Sequence, residues 1–330
     1  MGHISPRRGL LYVTIAAALF SVNASVSKVA LEAGVEPVRL AAMRSTGAAV
    51  LLFVVLFATQ PGRLRLTWGE LPYLAVLGIL GGAVVQWLYF VAIDRLPVGI
   101  ALLLEFTAPA LVALFSWAVL RQHIRPRTWL GIALAMAGLA LVAQVWSDIG
   151  LDVIGVFAGL AAAACLASYY LVGKRLTSHR DSLSLTFWMF AFAAIFWAVV
   201  RPWWTFDPGP LAEQTSVLGI FDSVQVPVWS TVLWIIVFGT LIAYGLNLAA
   251  LRHISPTAAG VVGMSEPVGA ALVAWIWLGQ SLNPVQILGG AVVLLGIGLA
   301  QTGQRGSAPR RHDGASTGQP TRSDGVTVTE

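Results

Sequence analysis

Two glutamates interrupt long apolar runs: Glu105 in ALLLEFTAPALVAL, residues 101–114, and Glu266 in GVVGMSEPVGAALVAW, residues 260–275. A carboxylate in such surroundings is costly unless it is protonated, paired or wet, so its chemistry is to bind a cation, carry a proton or anchor an amine. Arg44 and Lys28 are the candidate cationic partners of Glu105, in an ion pair or as part of coupling. A purely structural ion pair stands beside substrate or proton binding at Glu105. For Glu266, stabilisation of a backbone group freed by the adjacent Pro267 stands beside ligand contact. Gln86 and Tyr89 lie three apart and share one helical face, as do Tyr244 and Asn247. They read either as interhelical hydrogen bonds or as the wall of a substrate cavity. Asn23 and Tyr170, beside Tyr169, are of the same kind.

Catalytic chemistry has no such anchor. No Walker A, HExxH, CxxC or GxSxG pattern occurs, and the SVSK at Ser25–Lys28 lacks its KTG companion. The single cysteine, Cys165, permits neither an intramolecular disulfide nor a cysteine-built metal site. No cofactor and no metal are expected, and transport without a phosphate-binding loop must run on a gradient or downhill.

The elements that position these residues follow from composition. Of 330 residues, 57% are hydrophobic and 11% charged, the balance of a membrane protein. About 20 apolar residues cross the hydrocarbon core. Ten stretches meet this length: residues 9–29, 38–59, 71–92, 98–120, 127–146, 153–173, 184–201, 228–250, 256–278 and 284–302. The connections are short apart from Pro202 to Pro227, where Trp203 and Trp204 suit the headgroup level. Residues 1–8 are expected to form a short cytoplasmic N-terminus, and 303–330 a polar cytoplasmic tail rich in Gly, Ser and Pro, disordered and without activity. With the N-terminus in the cytoplasm, 15 of the 20 Lys and Arg fall on the inner side, which predicts both termini inside. The basic balance is therefore read as topology and not as nucleic-acid binding.

The chain also resembles itself. Displaced by 158 positions, residues 81–142 match 239–300 with 16 identities in 62, including Pro109 with Pro267, Trp117 with Trp275, Gln122 with Gln280, Gly131 with Gly289 and Gly138 with Gly296. An offset of 146 relates the first span to the sixth and pairs Gly9 with Gly155, Asn23 with Tyr169 and Lys28 with Lys174. The expected fold is all-α and integral to the membrane, with ten transmembrane helices in two five-helix repeats, residues 9–146 and 147–302. An odd number of spans per copy makes the repeats inverted, an arrangement that exposes a midplane site alternately to either side. Pro109 and Pro267 are expected to kink or hinge the fourth and ninth helices. Lys28 and Lys174, near span ends, are expected to snorkel.

The segments PVGIALLLEFTAP (Pro97–Pro109), MSEP (Met264–Pro267) and AAAACLASYYLVGKR (Ala161–Arg175) resemble the drug/metabolite transporter superfamily, EamA family, in its threonine/homoserine exporter branch. The resemblance spans residues 9–302. It implies an inner-membrane exporter of amino acids or related small metabolites working by alternating access, with Thr107 and Ser265 of those motifs in the substrate site. Gln122 and Gln280 stand where the family often has Glu, and Leu166 where the branch usually has Trp. Drug efflux, another metabolite or nutrient uptake are the rival carriers, and an integral membrane enzyme or sensor the remote ones. The expected partners are a small-molecule substrate, the lipid bilayer and, for a coupled carrier, protons.

Overall fold

A computed structural model describes residues 5–96, 98–143, 152–202, 205, 208–279 and 283–305. Pro97, Trp203, Trp204, Gln280 and most of the tail lie outside the described residues. Among the described residues, ten helices are long and apolar enough to cross a membrane. They are α1 (Pro6–Glu32), α2 (Pro37–Thr59), α3 (Leu71–Tyr89), α4 (Ala101–Ala118), α5 (Pro126–Ala143), α6 (Val153–Leu176), α7 (Ser182–Val200), α8 (Val228–Leu251), α9 (Pro256–Leu278) and α10 (Pro284–Gln301). The ten stretches read from the sequence are these ten. The helix of α10 continues to Arg305, so the tail begins slightly later than expected.

The local signals are those that start helices in any solvent. Proline occupies the first turn of α1, α2 and α9, where its missing N–H has no intrahelical partner to lose. Asp152, Asp181 and Ser255 cap α6, α7 and α9 by accepting from Gly155, Ser184 and Ala258 backbone N–H at 2.8, 3.0 and 3.1 Å. Large apolar side chains such as Phe53, Val54, Phe57, Ile195 and Leu295 point outward, where a bilayer would meet them. The interior is built of small residues and a tyrosine-rich cluster. The connection between α7 and α8 is more structured than a plain interfacial loop. It carries a two-stranded antiparallel hairpin, Gln214–Ser216 with Gln225–Pro227.

Four of the ten helices are irregular, and the irregularities recur 158 positions apart. A π-helical turn at Ile79–Val84 interrupts α3, and another at Val237–Ile242 interrupts α8. Helix α4 breaks between Glu105 and Ala108, and α9 between Gly263 and Glu266. At each break a hydroxyl closes the turn behind it: Thr107 Oγ1 donates to Leu104 O and Ser265 Oγ to Val262 O, both at 2.7 Å. The interruptions fall beside the prolines expected to kink or hinge these helices: Pro109 and Pro267 each sit in the first turn after the break, in Ala108–Ala118 and Glu266–Leu278. A broken helix has backbone groups at membrane depth that need partners, which is tolerated only where protein or a cavity receives them.

Helices α5 and α10 cross with four glycines at the contact. A Cβ at Gly131, Gly138, Gly289 or Gly296 would meet the facing backbone or side chains at 2.5–2.8 Å. Gly131 lies against Gly296 and Gly138 against Gly289, so the contact of one repeat is returned by its equivalent in the other.

Candidate functional site

The polar residues converge where the two π turns and the two helix breaks meet. Arg44, on α2, is 8% exposed and turns its guanidinium toward α8 and α3. Its Nε donates to Thr240 Oγ1 at 3.0 Å, Nη1 to Gln86 Oε1 at 3.2 Å and Nη2 to Gly239 O at 3.2 Å. Thr240 is itself oriented by donating to Ile235 O at 2.8 Å, an i to i−5 contact that the π turn makes available. Gln86 Nε2 then donates to the Tyr244 hydroxyl at 3.3 Å. These two residues are equivalents under the 158 offset, so matching positions of the two halves touch. The Tyr244 ring also lies 5.8 Å from the Arg44 guanidinium carbon, and the rings of Phe20, Tyr169 and Phe190 meet it edge-on at 5.0, 5.9 and 5.2 Å.

Glycine makes this approach possible. The side chain of Asn23 lies against Gly239, where a Cβ would collide with its amide. In the other half the side chain of Tyr169, the equivalent of Asn23, lies against Gly81, the equivalent of Gly239, with Cβ of the tyrosine 2.9 Å from the space a side chain would fill. Asn247 is bonded to the Tyr170 hydroxyl. The Oδ1 atoms of both Asn23 and Asn247 are buried without a hydrogen-bond partner. Buried acceptors without a partner are rare in folded proteins.

Glu105 ends the first part of α4 and Glu266 begins the second part of α9, both half-buried. They lie within electrostatic reach of one another and of Tyr170 and Tyr244. Neither forms an ion pair within 4.0 Å among the described residues. The partners expected for Glu105 are therefore not its partners: Arg44 spends its bonds on neutral acceptors, and Lys28, exposed near the end of α1, pairs with Glu32 at 3.5 Å. Ser21 Oγ has its one proton within reach of two carbonyls, Ala17 O of its own helix at 2.8 Å and Glu266 O at the break of α9 at 3.1 Å. Tyr89 is half-buried beside Glu105 and Glu266.

Sequence reasoning missed Thr240, Gly239 and Ser21. Thr240 and Gly239 carried a signal, a hydroxyl in the apolar run FGTLIAY and a glycine repeated at Gly81. Ser21, small and able to bond within its own helix, carried none. Lys174 does not snorkel; its Nζ donates to Leu251 O at 2.6 Å and Ile254 O at 3.0 Å. A separate pocket of about 440 Å³ is lined by Glu36, Arg39, Arg201 and Thr205, away from these residues. There Arg39 donates to the Pro202 and Thr205 carbonyls at 3.2 and 3.0 Å, and Glu36 pairs with Arg201, tying α2 to the end of α7. Among the described residues no group of three His, Cys, Asp or Glu is placed to hold a metal ion.

A polar, charged interior inside ten apolar helices, entered by two broken and two widened ones, is the construction of a carrier and not of an enzyme. The comparisons agree. The EamA-like transporter family matches residues 7–144 and again residues 153–302, and the chain belongs to that family. Among curated relatives, the threonine/homoserine exporter RhtA of Escherichia coli (strain K12) is 29% identical over 80% of this chain and 82% of its own length. RhtA of Salmonella typhimurium (strain LT2) is 30% identical over 72% of this chain and 73% of its own. The uncharacterized transporter YwfM of Bacillus subtilis (strain 168) is 27% identical over 87% and 91%. One solved crystal structure superposes with a TM-score of 0.73 at 19% identity, covering 92% of this chain and all of that one, which shows a shared fold. The protein is a multi-pass membrane transporter of small molecules.

Proposed function

We propose that this carrier exports small zwitterionic metabolites, amino acids foremost, by alternating access between two inverted five-helix halves. Both termini lie in the cytoplasm, and Glu105 takes the substrate's ammonium or the proton exchanged for it. The observation that carries the reading is the pair of carboxylates, Glu105 and Glu266, held at two helix breaks with no ion pair within 4.0 Å among the described residues. A bare carboxylate at membrane depth is unfavourable, so its charge is met by a proton or by a cationic group of the substrate. Gln86, Tyr89, Tyr244, Asn247, Asn23 and Tyr170 form the wall around them.

The alternation is supported by the exchange of contacts between halves: Gln86 meets its equivalent Tyr244, and Gly131–Gly296 is returned as Gly289–Gly138. The helix breaks beside Pro109 and Pro267 and the two π turns supply matched soft points about which the halves rearrange. The export direction and the amino acid class are favoured by the exporters to which the chain is similar.

The test is efflux from cells or proteoliposomes preloaded with labelled amino acids, threonine and homoserine among them, comparing the intact protein with Glu105→Gln. Flux of at least one amino acid that the variant has lost supports the reading. A folded, inserted protein that moves none of them sinks it, and an unaffected variant removes Glu105 from the cycle.

A further inference from the structure

We propose that Arg44 anchors the substrate's carboxylate, so that the site grips a zwitterion between α2 and the α4 and α9 breaks. The inference rests on the transport reading above and assigns the second pole of its substrate. A guanidinium has five N–H donors, and three are spent on Thr240, Gln86 and Gly239. All three acceptors are neutral, and among the described residues no carboxylate lies within 4.0 Å of Arg44. Glu266 lies within electrostatic reach of Arg44 but forms no ion pair with it, and a buried guanidinium that no carboxylate contacts among the described residues, at this depth, points to a ligand. The bonds it does make fix the plane of the fork, and the Tyr244 ring packs beside it, so the remaining donors are pre-oriented for a planar anion.

The surrounding chemistry narrows that anion. Two glutamates share the cluster with Arg44, and a phosphate or sulfate, carrying several charges and no cation, would face them unfavourably. A simple amine would leave Arg44 unmet, and a simple carboxylate would leave Glu105 and Glu266 unmet. An α-amino acid meets both poles at once, and the unpartnered Oδ1 atoms of Asn23 and Asn247 offer acceptors for its remaining N–H groups.

The experiment measures competition against a labelled amino acid carried by the intact protein. The competitors are the same amino acid unlabelled, its carboxamide, and the amine lacking the carboxyl group. Loss of the charge-assisted contact is expected to weaken both analogues by at least about tenfold. Arg44→Lys, which keeps charge without the fork, should retain part of the flux, and Arg44→Gln should lose it. A carboxamide that competes within about twofold of the acid overturns the proposal, and because that arm uses the unaltered protein a misfolded variant does not cloud it. An intact protein that carries no amino acid fails differently, by removing the transport reading itself.

A second inference comes from a different observation, the unequal behaviour of two equivalent lysines. Lys174 holds the carbonyls of Leu251 and Ile254, whose equivalents under the 158 offset are Ile93 and Leu96. Lys28, the equivalent of Lys174, holds neither and faces Glu32 instead. Packing follows the same asymmetry. Helix α6 packs on Ala243–Leu251 and Pro256–Gly263, whereas α1 has no comparable packing on Val85–Arg95 or Val98–Glu105. The geometry points to two alternating latches: Lys174 closes the face of the N-terminus here, and Lys28 closes the opposite face on the carbonyls of residues 93 and 96 when the first latch opens.

Spin labels at Ala24 and Arg95, and in a second protein at Ser178 and Arg252, report the two gaps with both lysines in place and Cys165 replaced. Saturating substrate or a change of side should bring 24 and 95 together in the fraction of molecules where 178 and 252 part, and Lys28→Gln should abolish that approach. Labels at 24 and 95 that stay apart under every condition supporting flux, or that approach equally in Lys28→Gln, overturn the latch.

Discussion

Replacing Gln86 by glutamate separates the ligand-binding role of Arg44 from a structural one. Gln86 Oε1 accepts from Arg44 Nη1 at 3.2 Å, so Gln86→Glu puts a carboxylate oxygen at that position without change of volume. At that distance the attraction is about 5 kcal/mol for an effective dielectric of about 20. Burying the new carboxylate costs several kcal/mol, so the two terms nearly cancel and fold stability moves by no more than about 2 kcal/mol. The contact to Tyr244 survives with its direction reversed, the phenol donating. Substrate binding has no such compensation, because the new carboxylate neutralises Arg44 and repels an incoming one. The expected result is a folded protein whose half-saturating amino acid concentration rises at least about tenfold, equivalent to about 1.4 kcal/mol. Thermal unfolding in detergent and concentration-dependent flux in proteoliposomes are the two assays. If Arg44 merely ties α2 to α8, the same change strengthens the tie and leaves flux as it was; unchanged flux from a folded Gln86→Glu protein refutes the reasoning.

The crossing of α5 and α10 gives a stability prediction: Gly131→Ala and its equivalent Gly289→Ala should each lower stability by about 1–3 kcal/mol, since the added Cβ meets facing atoms at 2.5 and 2.8 Å. An unchanged unfolding midpoint for both would show that the helices are not in such close contact. The third prediction concerns pH at the α8–α9 connection. Burial first, and then Arg252, Arg8 and Lys174, hold His253 below the ordinary histidine range, and its Nδ1 accepts from Ser5 N–H at 3.3 Å. A folded-state value below the unfolded one means the contact is fully present above about pH 6.5 and is lost as pH falls toward the depressed value. Intact protein should therefore lose stability on acidification relative to His253→Gln, and parallel curves would remove the histidine from the effect.

Much of the fold was legible because membrane spans are written in composition. Ten apolar runs correspond to ten helices among the described residues, and the offset of 158 paired Pro109 with Pro267, beside which α4 and α9 are interrupted. The candidate polar residues were legible by type, and Gln86, Arg44 and Tyr244 meet in the structure. Their pairings were not legible. Depth along a helix suggested Arg44 beside Glu105, but the direction of a side chain depends on helix rotation, and Arg44 points to the π turn of α8. A π turn leaves no mark that hydropathy can detect, so the hydroxyl in FGTLIAY and the glycine repeated at Gly81 did not reveal that Thr240 and Gly239 would face Arg44. Pro109 and Pro267 did mark where α4 and α9 are interrupted, but not the length of the interruption, Glu105–Ala108 and Gly263–Glu266.

What repeats and what does not repeat divide the labour of the molecule. The glycines of the α5–α10 crossing, the hydroxyl caps Thr107 and Ser265, Pro109 and Pro267, and the π turns all have equivalents in the other half. These are frame residues, and the alternation proposed above would use such a twice-built frame in two arrangements. The charged residues break the pattern: under the 158 offset Glu105 corresponds to Gly263 and Glu266 to Ala108. A substrate site with the same twofold as its frame would present like chemistry to both ends of a ligand. Because the carboxylates have no counterparts, the site proposed above would hold its ligand by unlike poles in a fixed sense, with the cationic end at α4 and α9. Substitutions in the frame should therefore alter the rate of exchange for every substrate alike, whereas substitutions at Glu105, Glu266 or Arg44 should alter which substrate is carried.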